Sequence, residues 1–321
     1  MPRRAPARGT GTRRSPGRPG PALPPPPPYE IQTAHNVVSI EPDPSRPSGR
    51  MLFLNGHESS YVDLADPTHL EFSYVRRIGD VLDLLRPAGK PVTVLHIGGG
   101  GFTLPRYVAA TRPRSRQVAF EFDPGLVQVA REHLGLRPLP GLRIRVGDAR
   151  ERMAAQPAGS ADVVIGDAFA GVLVPPHLAT LEFAAEVRRL LRPDGVYVLN
   201  VIDCPPLRVS RAEAATLLAA FDQVALVAER DLLRERDAGN VVFVAAGAGA
   251  GPLPLAALAR RAARGRYPDD VLDRAGVARF AGRAAVVTDA DGDRWRRLAP
   301  PPDLPVPLAQ PPAAPGSICG A

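Results

Sequence analysis

The chain of 321 residues is poor in the features that build covalent or metal frameworks. It has two cysteines, Cys204 and Cys319, the second in a proline-rich stretch, which excludes a disulfide scaffold and a cysteine metal site. Its six histidines are scattered without ligand spacing, so no metal is expected. No apolar run is long enough to cross a bilayer, and no apolar core follows the basic start as a secretory signal would require. The expectation is a cytoplasmic protein without a membrane partner and without internal repeats. Acids are missing from residues 1–28, which hold Arg3, Arg4, Arg8, Arg13, Arg14, Arg18 and the run Pro24 to Pro28. Six of the net +7 charges therefore belong to that tail, and the remainder is close to neutral. Such a segment cannot bury a core and is expected to be disordered, partly polyproline II. The pI of 10.1 then points to no more than weak contacts of the tail with nucleic acid or a membrane surface. Residues 299–321 repeat the proline-rich pattern without the charge and are read as a second disordered tail.

Between the tails the pattern is that of an α/β protein. Val92 to Ile97 is a short β-branched run, Gly98 to Gly101 follow at its end, and Phe102 to Ala110 has helical spacing. Gln117 to Phe120 forms a second strand ending in Glu121, with Asp123 two residues on; Leu142 to Val146 forms a third, ending in Gly147-Asp148-Ala149. Asp162 to Ile165 forms a fourth, ending in Gly166-Asp167-Ala168-Phe169, and Val196 to Ile202 a fifth, after a helix and the turn Arg192-Pro193-Asp194-Gly195. Strands alternating with helices give a parallel sheet that binds its ligand at the carboxyl ends of the strands. Three acids stand at those ends: Glu121 suits the two hydroxyls of a ribose, and Asp148 suits an adenine amino group. Val224 to Ala228 and Val241 to Ala245 read as a closing antiparallel pair, and Leu253 to Arg264 as a helix. The expected fold is therefore a Rossmann-like, seven-stranded methyltransferase-type sheet. It is preceded by a small β-rich segment (Tyr29 to Asp66) and a helix from His69 to Leu85. The expected organisation is a tail over 1–28, the β-rich segment over 29–68, a nucleoside-binding catalytic domain over 69–298, and a tail over 299–321.

The glycine loop, Glu121 with Asp123, Gly147-Asp148, Asp167 and the turn from Leu191 to Gly195 resemble the class I S-adenosylmethionine fold, and within it the spermidine synthases. The upstream Leu52-Phe53-Leu54-Asn55-Gly56, followed by Glu71-Phe72-Ser73-Tyr74, is similar to that family's strand, Asp-Gly turn and Asp-Glu-Phe-x-Tyr segment. The resemblance covers roughly residues 29 to 298. It implies an aminopropyltransferase that uses decarboxylated S-adenosylmethionine as co-substrate, a putrescine-like amine acceptor, and a homodimer. By the same resemblance Asp167 is the proton acceptor and Tyr74 its assistant. Gly98, Gly99, Gly100, Gly101, Glu121, Asp123, Asp148 and Ala149 would hold the nucleoside.

Departures from the family pattern bear on the substrate. Gly101 stands where the family has an aspartate for the donor's aminopropyl ammonium, Ala168-Phe169-Ala170-Gly171 lacks the second acid after Asp167, and Ser59 stands near the family's glutamine. Arg76 replaces an acid, and a cation there would repel a diamine. Each ionic hydrogen bond lost costs on the order of 1.5–3 kcal/mol. Two alternatives therefore stand beside aminopropyl transfer: methyl transfer from S-adenosylmethionine, whose carboxylate suits the N–H groups of a glycine loop, and a nucleoside-binding protein without catalysis. Single residues also have plainer readings. Glu121 and Asp148 serve equally as helix caps, Tyr74 as a core tyrosine, His96 as a satisfied core histidine, and His177 as the start of the helix that runs to Leu191.

Overall fold

The computed structural model describes residues 30–264, 268–301 and Leu304. Most of both proline-rich tails, Cys319 included, lies outside the described residues. Four strands come first: β1 (Ile31–Gln32), β2 (Val37–Asp43), β3 (Arg46–Leu54) and β4 (His57–Asp63), paired antiparallel in that order. The Asn55-Gly56 pair, both at positive φ, turns β3 into β4 as a type I′-like hairpin requires. Alternation of apolar residues gives this sheet one buried face, with Val38, Ile40, Leu52 and Val62 at 8% exposure or less.

Helix α1 (Ser73–Leu85) follows and leads into β5 (Thr93–Ile97), α2 (Thr103–Thr111), β6 (Arg116–Glu121), α3 (Pro124–Glu132), β7 (Leu142–Val146), α4 (Ala149–Ala154), β8 (Ala161–Gly166), α5 (Leu181–Leu190) and β9 (Leu191–Asp203). Then come α6 (Arg208–Ala220), β10 (Gln223–Glu229), α7 (Arg230–Leu233), β11 (Gly239–Ala246), α8 (Leu255–Ala262), β12 (Asp269–Leu272), α9 (Arg274–Ala281) and α10 (Gly292–Arg296). The main sheet has the order β12-β10-β11-β9-β8-β5-β6-β7. Strands β5 to β9 form the parallel part, and β11 runs antiparallel between β9 and β10. The five parallel strands and the closing pair read from the sequence are all present.

An eighth strand, β12, adds to them. Its sequence, Asp-Asp-Val-Leu, carries no strand pattern, and a long-range contact holds it: the buried guanidinium of Arg77 on α1 forks onto both oxygens of Asp269 at 2.7 and 2.8 Å, reaches Glu229 on β10 at 3.0 Å and donates to the Asn240 carbonyl. A planar fork with every arm satisfied is how an arginine becomes tolerable in a core.

Helix boundaries differ by a few residues from the sequence reading. The first helix begins at Ser73, not His69, because Asp66 to His69 form a turn in which the His69 amide bonds the Asp66 carbonyl. The helix read from Leu253 spans Leu255–Ala262, with Pro254 before it. His177 does not start α5. It lies in a short 3₁₀ turn over Pro176–Leu178, and α5 begins at Leu181 under a Thr180 cap, since the two prolines fix an extended entry and the threonine hydroxyl accepts the Phe183 amide.

The core has three parts. One packs α4, α5, α6 and α9 on one face of the main sheet, the second packs α1, α2 and α8 on the other, and the third seats the small sheet against α3 and Phe102. Asp123 fastens that third part. Its carboxylate caps α3 through the amides of Gly125 and Leu126, and accepts the Thr33 hydroxyl at 2.5 Å and the Asn36 amide at 2.8 Å. Replacement of Asp123 by alanine is expected to cost roughly 2–4 kcal/mol, the sum of a lost cap and lost hydrogen bonds to a charge; thermal unfolding of the variant measures it.

Candidate active site

Sheet register puts the site residues on one edge. Ile97 pairs with Phe120 on one side and Gly166 on the other, Glu121 pairs with Val146, and Gly166 pairs with Leu199. The residues just beyond these pairs, Gly98, Asp148, Asp167 and Asn200, thus reach the same edge as Glu121. Gly98 has φ of +93°, and a Cβ there would stand 2.2 Å from the Asp167 carbonyl oxygen, so only glycine lets β5 and β8 end this close together.

Glu121 is buried, and its two oxygens accept three backbone amides: Gly99 at 2.8 Å, Gly100 at 3.2 Å and Asp123 at 2.9 Å. Burial raises its pKa and these amides pull it back down. It is therefore no helix cap; the carboxylate is tied to the glycine loop itself. Asp148 does cap α4, through the Glu151 amide at 3.1 Å, and its second oxygen lies 2.6 Å from Nε2 of His177. Ala149 begins α4 with its side chain in the core, which leaves its backbone for any contact. The carboxylate of Asp123 is spent on the cap and on Thr33 and Asn36, so its part in the site is to fix the loop after Glu121. Gly101 donates its amide to the Ser60 hydroxyl at 3.0 Å.

Asp167 and Tyr74 meet. Asp167 is half-buried, accepts the Tyr74 hydroxyl, and accepts Nδ2 of Asn200 at 2.9 Å. Desolvation raises Asp167 to about 6, with the two hydrogen bonds opposing. Tyr74 is pushed well above its usual value, first by burial and then by the Asp167 charge, so its phenol remains a donor. The plainer reading of Tyr74 as a core tyrosine fits its burial, yet its hydroxyl serves the carboxylate.

Asn200 was not singled out in the sequence. It sits within a β-branched strand, and its Oδ1 is buried without a partner among the described residues, a state that calls for an explanation in a native fold. A cavity of about 450 Å³, its mouth included, runs between these groups and the glycine loop, lined in part by Ser60, Glu71, Tyr74, His96, Gly98, Gly99 and Asp167. His96 is buried and bonded to Gln117 at 2.9 Å, as a core histidine, and burial lowers its pKa to about 4, which keeps it neutral. Arg76 lies outside this lining, and its guanidinium is held by the carbonyls of Leu70 and Glu71. Beside Glu121, Phe122 and Val146 are 58% and 39% exposed, with the Phe122 ring 4.7 Å from that of His35.

Comparison with known proteins agrees with this arrangement. A methyltransferase domain family matches residues 95–199. The polyamine aminopropyltransferase of Vibrio vulnificus is 34% identical over 165 residues, which are 51% of this chain and 53% of that protein; the chain spans about half the length of this curated relative. The crystal structure of a probable spermidine synthase from Corynebacterium glutamicum superimposes with a TM-score of 0.74 at 30% identity, covering 81% of this chain and 95% of that one. The spermidine synthase of Thermotoga maritima, at 17% identity and a TM-score of 0.53, shares the fold over 85% of this chain and 84% of its own. With the glycine loop, the acid-ended strands and the Tyr74 segment in their places, the chain belongs to the spermidine synthase family, on the class I methyltransferase fold.

Proposed function

We propose that this protein transfers an aminopropyl group from decarboxylated S-adenosylmethionine to a primary amine of the putrescine type. The observation that carries the reading is the Tyr74–Asp167 pair, set in the wall of the cavity that leads to Gly98 and Gly99, with Asn200 bonded to Asp167. The site fits an S-adenosyl nucleoside. Glu121 offers a fixed carboxylate for ribose hydroxyls, Asp148 a carboxylate for the adenine amino group, and Phe122 and Val146 apolar surface for the base.

In such a transfer the amine nitrogen forms a bond to the carbon beside the sulfonium, the carbon–sulfur bond breaks toward sulfur, and methylthioadenosine leaves. The nitrogen sheds one proton. Asp167 takes it in this reading, because a carboxylate raised to about 6 is ionised at neutral pH yet basic enough to hold a proton briefly. Tyr74 and Asn200 aim their donors at Asp167 and keep its oxygens oriented.

The test is a product assay by mass spectrometry with purified protein, decarboxylated S-adenosylmethionine and a set of diamines. Methylthioadenosine formed only when both are present, with an acceptor heavier by one aminopropyl group, is the expected result. S-adenosylhomocysteine formed from S-adenosylmethionine would move the protein to methyl transfer, and no product from either donor would remove catalysis.

A further inference from the structure

We propose that Glu71 selects the donor, by receiving the ammonium at the end of its tail. The inference rests on the aminopropyl-transfer reading above and adds to it a residue that neither the glycine loop nor the Asp167 strand supplies.

The loop cannot offer a carboxylate for that ammonium. A Cβ on Gly101 would lie 2.8 Å from Cγ2 of Val62 and 3.0 Å from Cβ of Ser60, so β4 occupies the space a side chain would need. Past Asp167 the chain continues with Ala168, Phe169 and Ala170. The cavity nevertheless has two carboxylates in its lining, Asp167 and Glu71. Asp167 is committed to Tyr74 and Asn200. Glu71 stands just before α1, its side chain 24% exposed, with Oε2 2.8 Å from Nε2 of His69. Arg76 bonds the backbone carbonyls of Leu70 and Glu71, and its charge acts on the Glu71 carboxylate without a salt-bridge contact between them among the described residues. Glu71 thus retains acceptor capacity at the cavity wall, and His69 holds it in place.

The chemistry of the candidate nucleosides makes such a carboxylate selective. Decarboxylated S-adenosylmethionine ends its tail in a lone ammonium. S-adenosylmethionine carries an ammonium and a carboxylate on one carbon, so attraction and repulsion at Glu71 largely cancel. Methylthioadenosine carries neither group and is blind to the residue. A half-buried charge-to-charge hydrogen bond is worth roughly a 10- to 100-fold difference in affinity.

Calorimetric titration of the three nucleosides into the wild type and Glu71→Gln tests this. The wild type is expected to bind the decarboxylated donor at least about tenfold more tightly than S-adenosylmethionine. Glu71→Gln is expected to weaken the decarboxylated donor roughly 10- to 100-fold while leaving methylthioadenosine within about twofold, which also shows that the variant folds. Unchanged affinity for the decarboxylated donor in the variant overturns the role of Glu71, as does a wild type that binds it no better than methylthioadenosine. Methylthioadenosine production by the wild type, followed in the same preparation, reads the reaction separately. Turnover with a variant of unaltered donor affinity removes Glu71 and leaves aminopropyl transfer standing. Donor binding that depends on Glu71 without turnover does the reverse.

Discussion

Asp167→Asn is expected to reduce methylthioadenosine formation by about 10²- to 10⁴-fold, the usual worth of a positioned general base, while binding of methylthioadenosine itself changes by less than about twofold. The asparagine keeps the size of the side chain and an oxygen that can accept from Asn200 but has no electron pair basic enough for an ammonium proton. The wild-type rate should rise with pH through about 6, where Asp167 ionises, and this rising limb should disappear in the variant. Stability is expected to move the other way. Burial raises the folded pKa of Asp167 from 3.8 to about 6, so its contribution is fully present below pH 3.8 and is lost as pH rises to about 6; above that the ionised group destabilises the fold by up to about 3 kcal/mol. At pH 8 the inactive variant should therefore melt higher than the wild type. Unchanged turnover would take Asp167 out of the mechanism, and a lower melting temperature would show that the carboxylate is worth more to the fold than its desolvation costs.

The largest effect on stability is expected at a residue away from the cavity. Glu213 on α6 is 2% exposed, its Oε2 has no partner among the described residues, and desolvation raises it to about 8. The folded form therefore holds a proton that the unfolded chain, with a pKa near 4.5, gives up. The sign is that of a raised acid: the contribution is intact below pH 4.5 and falls steadily until pH 8, where the loss reaches up to about 5 kcal/mol. Glu213→Gln removes the ionisation and should leave stability at pH 5 nearly unchanged while raising it by several kcal/mol at pH 9. Denaturant unfolding at the two pH values checks this. A gain of equal size at both would mean that packing, not charge, sets the difference. Tyr197, also buried, is pushed up by burial and by the Glu213 charge, which places the two groups in the same desolvated region behind the sheet.

Much of the site could be read along the chain because its parts lie at the ends of short periodic segments. A strand that stops at glycine or at an acid is a local signal, and the parallel sheet that follows from alternating strands and helices brings Gly98, Glu121, Asp148 and Asp167 to one edge. Tyr74 was legible for another reason, since its segment carries a motif at a set distance from the glycine loop. The same local logic misplaced His177, because two prolines before a polar residue suggest a helix start. The chain instead makes one 3₁₀ turn and sets the imidazole against Asp148.

Local sequence thus determined which elements form, the parallel order of the central strands, and the carboxylates at their ends, since periodicity and turn chemistry act over a few residues. Tertiary structure decided the rest. Asn200 reaches Asp167 from 33 positions away because β8 and β9 are paired in register, and Thr33 reaches Asp123 across 90 because the small sheet docks on α3. An arginine in the core makes an eighth strand of Asp269–Leu272, and the packing of β4 against the glycine loop excludes a side chain at Gly101 while Glu71 lines the cavity. No pattern in the chain foretells these contacts, because each joins side chains whose distance is set by how whole elements pack.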